Sequence, residues 1–557
     1  MQRITLLLLL LISVSVSAQE NQENTSQPGT FNGIVDLTGQ YYLEDEEIGA
    51  LVPPQTYGMN AYALLGYTKG DFTAGMRLES YLPALNGYPV LFDGSGIGYR
   101  YVSWQKEGLE VTVGNFYEQF GNGMIFRTFE ERAIGIDNAM DGLRARYTIT
   151  PGLNVKGMIG KQRLQFDDGL INGEGIIRGL DADLNFNQLF GSMKDSPLSL
   201  SLGGSFVSKY NDQNNTNLYN LPANVAAGAV RADLQYKDWR LGAEYMGKAN
   251  DPYPSVTVPE FDYVYKNGQG LFTNLGYSVK GFAVDLTARH LDNVTWRSTN
   301  AGVSGNELSI GYLPALSKQH TYNLVSSLYP YATNLFGEVS FRGDISYKFK
   351  KKTALGGKYG TTVSFSATQV NTPERTMLND ESTDRQIYST SLFQFNADST
   401  LLRDINVEVK KKLSKKVKMQ ASYYNFYFDD RVQLVASKEL IKADIAVLDV
   451  TWKVKKKKTL RFEAQHLWTD EHDKNWVFGQ IEYSMSPHWI ITVLDQYNYE
   501  NPKSKIHYPL ANIVYSTGPH RFSFQYGKQR AGWFCVGGIC REVPASNGLT
   551  FTLTSSF

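Results

Sequence analysis

Short segments of the chain alternate apolar and polar residues, and they recur from one end to the other. Leu143, Ala145, Tyr147 and Ile149 fall on one side of a segment whose other side carries Arg144, Arg146 and Thr148. Val230, Ala232, Leu234 and Tyr236 alternate in the same way with Arg231, Asp233 and Gln235. Phe282, Val284, Leu286 and Ala288 interleave with Asp285, Thr287 and Arg289, and Leu448, Val450, Trp452 and Val454 with Asp449, Thr451 and Lys453. Successive side chains of an extended strand point to opposite faces, so a period of two predicts strands with one apolar and one polar face.

A soluble antiparallel sheet with one wet face would alternate too. Three features favour a membrane barrel. The polar faces carry Arg, Asp and Glu, as a water-filled lumen allows. Short connections such as Lys69-Gly70-Asp71, Thr150-Pro151-Gly152 and Ser486-Pro487-His488 alternate with long polar ones at 43–56, 83–96, 251–267 and 294–319. Aromatic residues crowd the strand ends, as in Tyr41-Tyr42, Tyr423-Tyr424, Phe426-Tyr427-Phe428 and Tyr497 to Tyr499, like the girdles where a barrel meets the membrane surface. The predicted fold is an all-β, antiparallel, up-and-down transmembrane barrel of about 24 strands (22 to 26), both ends in the periplasm. That allots about 22 residues to each strand with its connection, matching spanning strands of ~9–11 residues. The count is least secure over 294–402, where long loops leave room for another hairpin.

Composition narrows the field. The chain has 557 residues, 42% hydrophobic and 20% charged, with 55 basic against 55 acidic side chains. A soluble chain of this length would form roughly three or four domains, yet no linker or short repeat divides it. Balanced charge gives no field for nucleic acid, which needs an excess of Lys and Arg to neutralise phosphates. Lys350 to Lys352, Lys410 to Lys412 and Lys455 to Lys458 fall on the short-turn side and read as solubilising turns.

The first residues read as an address. Arg3, the apolar run from Ile4 to Ile12 and Val16-Ser17-Ala18 make a secretory signal over 1–18, with cleavage after Ala18. Residues 19–30 form a polar, flexible periplasmic leader, and 31–557 a single barrel with no plug domain before its first strand. In the last segment Leu549, Phe551, Leu553 and the final Phe557 share one parity. A closing amphipathic strand that ends in Phe resembles the assembly signal of bacterial outer-membrane barrels. The resemblance implies that Phe551, Leu553 and Phe557 engage the barrel-assembly machinery, with outer-membrane lipid as the surrounding partner.

The most distinctive stretch runs from Gly114 to Tyr147. Gly114-Asn115-Phe116-Tyr117-Glu118 and Gly135-Ile136-Asp137-Asn138-Ala139 are similar to a signature of Bacteroidetes outer-membrane barrels, porin-like proteins of unassigned function. This implies a family and no particular solute. Between the two motifs lies the third long loop, with Arg127, Glu130, Glu131, Arg132 and Asp137. By analogy with general porins, it would fold into the lumen as a constriction. Its acids would then oppose the lumen-wall arginines Arg77, Arg100, Arg144, Arg146 or Arg163, setting a transverse field that filters solutes. A charged surface loop tied by local ion pairs is the competing reading.

Other chemistry is sparse. Cys535 and Cys540, separated by Val-Gly-Gly-Ile in the last long loop, predict a small structural disulfide in an oxidising compartment. No ligand set for a metal accompanies them, and no cofactor is expected. His466, Asp470, Glu471, His472 and Asp473 form the densest titratable cluster, straddling a strand end and a loop. None of the seven His lies in a nucleophile-elbow pattern, so an enzyme is not expected. The functional expectation is a porin-like outer-membrane channel for small hydrophilic solutes. The rivals are a scaffold or accessory subunit of an envelope secretion, assembly or uptake complex, and, behind it, a membrane-embedded hydrolase using His466 or His472.

Overall fold

The structure is a computed structural model that describes residues 29–212, 221–252, 263–299, 309–328, 330–378, 388–429, 440–501, 505–536 and 539–557. The signal segment and all but the end of the leader therefore lie outside the described residues. The rest forms one sheet of 24 strands in which each strand pairs antiparallel with the next. The last strand, Ser546–Ser556, pairs with the first, Thr30–Leu43, from Ile34↔Ser556 to Leu43↔Asn547. The sheet is closed, so it exposes no unpaired edge.

Parity along each strand divides inside from outside. Val102, Val113, Leu143, Val230, Leu286, Ile481, Val493 and Phe524 are exposed, forming an apolar outer belt on a closed sheet. Their neighbours Thr112, Asp181, Ser205, Glu244 and Glu463 are buried on the inner face. An outer face of this chemistry suits lipid, and a polar inner face suits water.

Connections differ at the two ends as the alternation requires. At the end where the first strand begins and the last one stops, turns such as Gly70-Asp71, Pro151-Gly152 and Lys456-Lys457 are short. All three lysine clusters lie at this end. Long segments, 82–91, 117–139 and 293–336 among them, lie at the far end. Three connections depart from the rule: Asp168-Gly169 joins Leu153–Asp167 to Leu170–Asn185 by a two-residue turn at the far end, and 186–197 and 350–360 are longer connections at the near end.

The doubtful region resolves simply. Segment 293–336 contributes no barrel strand among its described residues and holds one helical turn, Asn323–Ser327. Later in the same region most described residues are strand, because Thr361–Met377 and Tyr388–Lys412 continue their pairing past the belt through several register shifts.

One stretch of wall is low. Strands Leu109–Phe116 and Met140–Thr150 are short, and above them their taller neighbours meet directly, pairing Phe92 with Phe166 and Asp93 with Asp167. The segment joining the two short strands therefore leaves the wall beneath an arch. That geometry directs it inward.

Candidate functional site

Segment 117–139 lies inside the barrel. Phe120, Met124, Ile125 and Phe126 are at most 2% exposed and pack on the inward residues Met158, Ile177, Val207, Ala227, Ala229 and Met246. Burying a side chain of this size stabilises the inward position by about 1.5–3 kcal/mol. The wall offers an apolar patch at this place, so the segment and its seat are complementary. Gly121 adopts φ +50° where an added Cβ would meet the Glu244 carboxylate at 2.5 Å; only glycine fits that approach. The Asn122 N–H then donates to Glu244 at 2.8 Å.

Charges fasten the returning arm. Asp137 accepts from Arg77 at 2.6 Å and from Arg163 at 2.8 Å. Arg77 also pairs with Glu79 at 2.6 Å and Glu130 at 2.8 Å, and Arg163 makes a two-pronged pair with Glu79. Arg77, Glu79, Asp137 and Arg163 are all buried. Their mutual charge offsets desolvation, and the guanidinium fork matches the carboxylate geometry. Burial raises the Glu130 carboxyl above the usual range, opposed by Arg77. The outgoing arm has its own anchor, where Glu118 takes Arg146 at 2.7 Å and Lys156 at 3.5 Å.

A second segment crosses the lumen. Its backbone meets the first where Arg127 N–H donates to Ile310 O and Tyr312 N–H to Gly123 O. Lys318 then pairs with Glu408 at 2.8 Å, His320 with Asp404 at 2.7 Å, and Leu324 N–H donates to Gln465. Leu324 and Val325 close a further buried apolar cluster against Tyr424, Ile445 and Trp476. Polar space remains on both sides of the first segment: a cavity of about 570 Å³ bordered by Lys156, Asp183, Arg231, Asp233 and Glu244, and one of about 400 Å³ bordered by Asp36, Gln40, Asn60, Tyr62, Arg132 and Arg541. Arg132 faces it from the loop, stacked over Tyr62 at 4.4 Å and paired with Glu130 and Asp36.

The sequence expectations meet this geometry unevenly. Glu130 and Asp137 do oppose Arg77, and Asp137 also Arg163. Glu131 opposes no arginine among the described residues; its carboxylate accepts from Ala133 N–H. Arg127 stacks over Tyr312 and Phe129. Arg144 and Arg146 do point inward; Arg144 pairs with Glu110 of the adjacent short strand, and Arg146 with Glu118 at the start of the lumen segment. Arg100 is a correction: it shares the parity of Val102 and lies on the outer face, bonded to Asn115 and to Asp141 at 3.1 Å. Arg77 and Arg163 are likewise not open-lumen residues, since the folded-in segment covers them.

Cys535 and Cys540 stand opposite each other in a small hairpin, Gly532–Val536 with Ile539–Val543; their side chains lie outside the described set. Phe557 joins the barrel seam through reciprocal backbone bonds with Gly33, at 2.9 and 3.0 Å. Phe551 pairs in register with Gly39, and Leu553 with Leu37. His466 bonds Tyr499 at 3.0 Å and packs at a tilt against Trp468, apart from the loop acids, and no group of three or more His, Cys, Asp or Glu placed to hold a metal occurs among the described residues. Sequence reading missed Glu79, Glu118, Lys318, His320 and Asp404. Arg77 and Glu79, two apart on one strand face, were the available signal.

The chain matches, over residues 1–557, the family described as a family of unknown function (DUF6029). No curated protein matches it. Among solved structures, it is similar to the siderophore receptor PirA from Pseudomonas aeruginosa, at 10% identity and TM-score 0.40, covering 96% of this chain and 82% of that one. OccAB3 from Acinetobacter baumannii gives 10% identity and TM-score 0.33, over 95% and 98% of the two chains. A BenF-like porin from Pseudomonas fluorescens gives 11% identity and TM-score 0.33, over 82% and 98%. Likeness at this level carries no argument about function; the architecture rests on this chain's own strand pairing.

Proposed function

The chain belongs to that family of unknown function, and we propose that it works as a porin-like outer-membrane channel, selective for small hydrophilic solutes, rather than as an enzyme. One observation carries the reading: a charged segment is folded into the lumen and fastened there, dividing the polar space and leaving a gap beside the first strands. The solute route runs through this gap, past Arg132, Asp36, Gln40 and Asn60. A passage bordered by both charge signs and by tyrosines favours polar solutes over apolar ones. The far end of the barrel, with its long segments, is the external one. The secretory signal expected in 1–18 and the Phe557 strand, read by the assembly machinery, support an outer-membrane location.

The test is conductance of the full mature chain in planar bilayers. Stable single-channel steps are expected, with a change in ion selectivity for Arg132→Ala, which removes the loop's cation at the gap. A folded wild-type barrel that gives no steps would overturn the channel reading.

A further inference from the structure

Strand register decides which outward side chains lie side by side. Leu241, Leu275, Leu286, Gly343, Ala367 and Ile405 form one such row, each the register partner of the next. The next row toward the external end runs through Ala288, Phe341, Gln369, Arg403, Tyr427 and Lys442. Small residues at Ala288, Gly343 and Ala367 stand among large ones, leaving a mostly apolar groove of about 540 Å³. Strand Tyr388–Lys412 roofs its external end. The Phe393 ring lies 6.1 Å from Phe341 and 6.2 Å from His290, and the Phe395 ring 6.0 Å from Phe341.

Arg403 stands at that roofed mouth. It is exposed on the outer face, its guanidinium lies 5.7 Å over the Tyr427 ring, and no ion pair engages it among the described residues. Lys442, exposed across Tyr427 in the same row, likewise has no ion pair among the described residues. Of the acids near them, Asp444 is held by Tyr423 at 2.6 Å and by Asn425 at 2.7 Å, and Glu471 accepts from the Lys442 backbone N–H at 3.3 Å and from the Thr469 hydroxyl at 2.8 Å. Two unneutralised cations beside an aromatic girdle favour an anion at headgroup depth, and the guanidinium fork favours phosphate. The groove beneath them offers a mostly hydrocarbon-compatible surface.

We propose that this groove docks a lipid whose headgroup carries phosphate. The phosphate binds Arg403 and Lys442, and an acyl chain lies over Gly343 and Ala367 between Leu286 and Ile405. The proposal rests on the membrane placement of the barrel and is independent of whether the lumen conducts.

The test uses the full mature chain, delipidated by repeated detergent exchange and then offered diphosphoryl lipid A or its dephosphorylated form. Bound lipid is counted by native mass spectrometry. Wild type should retain the phosphorylated form preferentially. Arg403→Ala and Lys442→Ala should each weaken retention roughly five-fold, the share expected of one basic residue near a membrane surface. Gly343→Leu should abolish retention by filling the groove; its Cβ would touch only the flexible end of Leu286, at 3.3 Å. The two cation variants are exposed substitutions that leave the sheet intact, so they decide the matter if Gly343→Leu fails to fold. Equal retention of both lipid forms, or wild-type retention in both cation variants, overturns the proposal. Bilayer conductance of the same samples reports on the channel reading separately.

Discussion

Arg163 and Glu79 belong to strands that do not pair with each other, Leu153–Asp167 and Phe72–Tyr81, yet their side chains meet in a two-pronged ion pair of 2.8 and 2.7 Å. They meet because two of the three strands between them on the short way round the wall, Leu109–Phe116 and Met140–Thr150, are low. Arg163 also bonds Gly98 O of the taller strand beside them and Asp137 of the lumen segment. One guanidinium thus ties together the wall, the arch and the loop.

Breaking this pair from one side should be costly. Arg163→Met leaves Glu79 and Asp137 buried with less compensation, and a loss of about 3–5 kcal/mol is expected. The double variant Arg163→Met with Glu79→Gln should recover part of it. Thermal loss of heat-modifiable gel mobility, which follows barrel unfolding, measures both. A single variant as stable as wild type would show that the pair holds nothing.

Releasing the lumen segment should widen the passage. Phe120→Ala combined with Phe126→Ala removes two fully buried rings from the seat on Met158, Ile177 and Val207, each worth about 3–5 kcal/mol. The barrel wall does not depend on them, so the strands should persist while single-channel conductance rises and becomes noisier. Unchanged conductance in a folded variant would place the route elsewhere.

The crossing segment should be protected from protease. Lys318 is held by Glu408 and the neighbouring His320 by Asp404. Trypsin added to intact barrels should therefore spare the bond after Lys318 in wild type. Asp404→Asn with Glu408→Gln should expose it, and peptide mapping of the digest would show the cut. Equal cleavage of both proteins would count against the anchoring role.

The outer belt makes a paired prediction. Val493 is 56% exposed on the outer face, and the adjacent Thr492 faces inward. Val493→Lys should destabilise the barrel in bilayers by about 2–4 kcal/mol near mid-membrane, with Thr492→Lys costing far less. Denaturant unfolding in vesicles distinguishes them, and equal costs would contradict the assigned faces.

Strand identity and facing were legible in the residues because parity is a local property. Leu143, Ala145, Tyr147 and Ile149 share a side whatever the rest of the chain does, and a chain of such segments with alternating short and long connections closes most simply as a barrel. The strand number followed from spacing for the same reason. The tertiary structure alone decided what depends on heights and on distant neighbours. Two short strands and an arch send 117–139 inward, an apolar patch spread over several strands receives it, and Arg163 finds Glu79 across 84 positions of chain. Arg100 shows the same limit from the other side. Its charge suggested the lumen, but its parity with Val102 and its bond to Asp141 place it outside. Charge can be read from one residue, whereas the partner that neutralises it is chosen by the closed sheet.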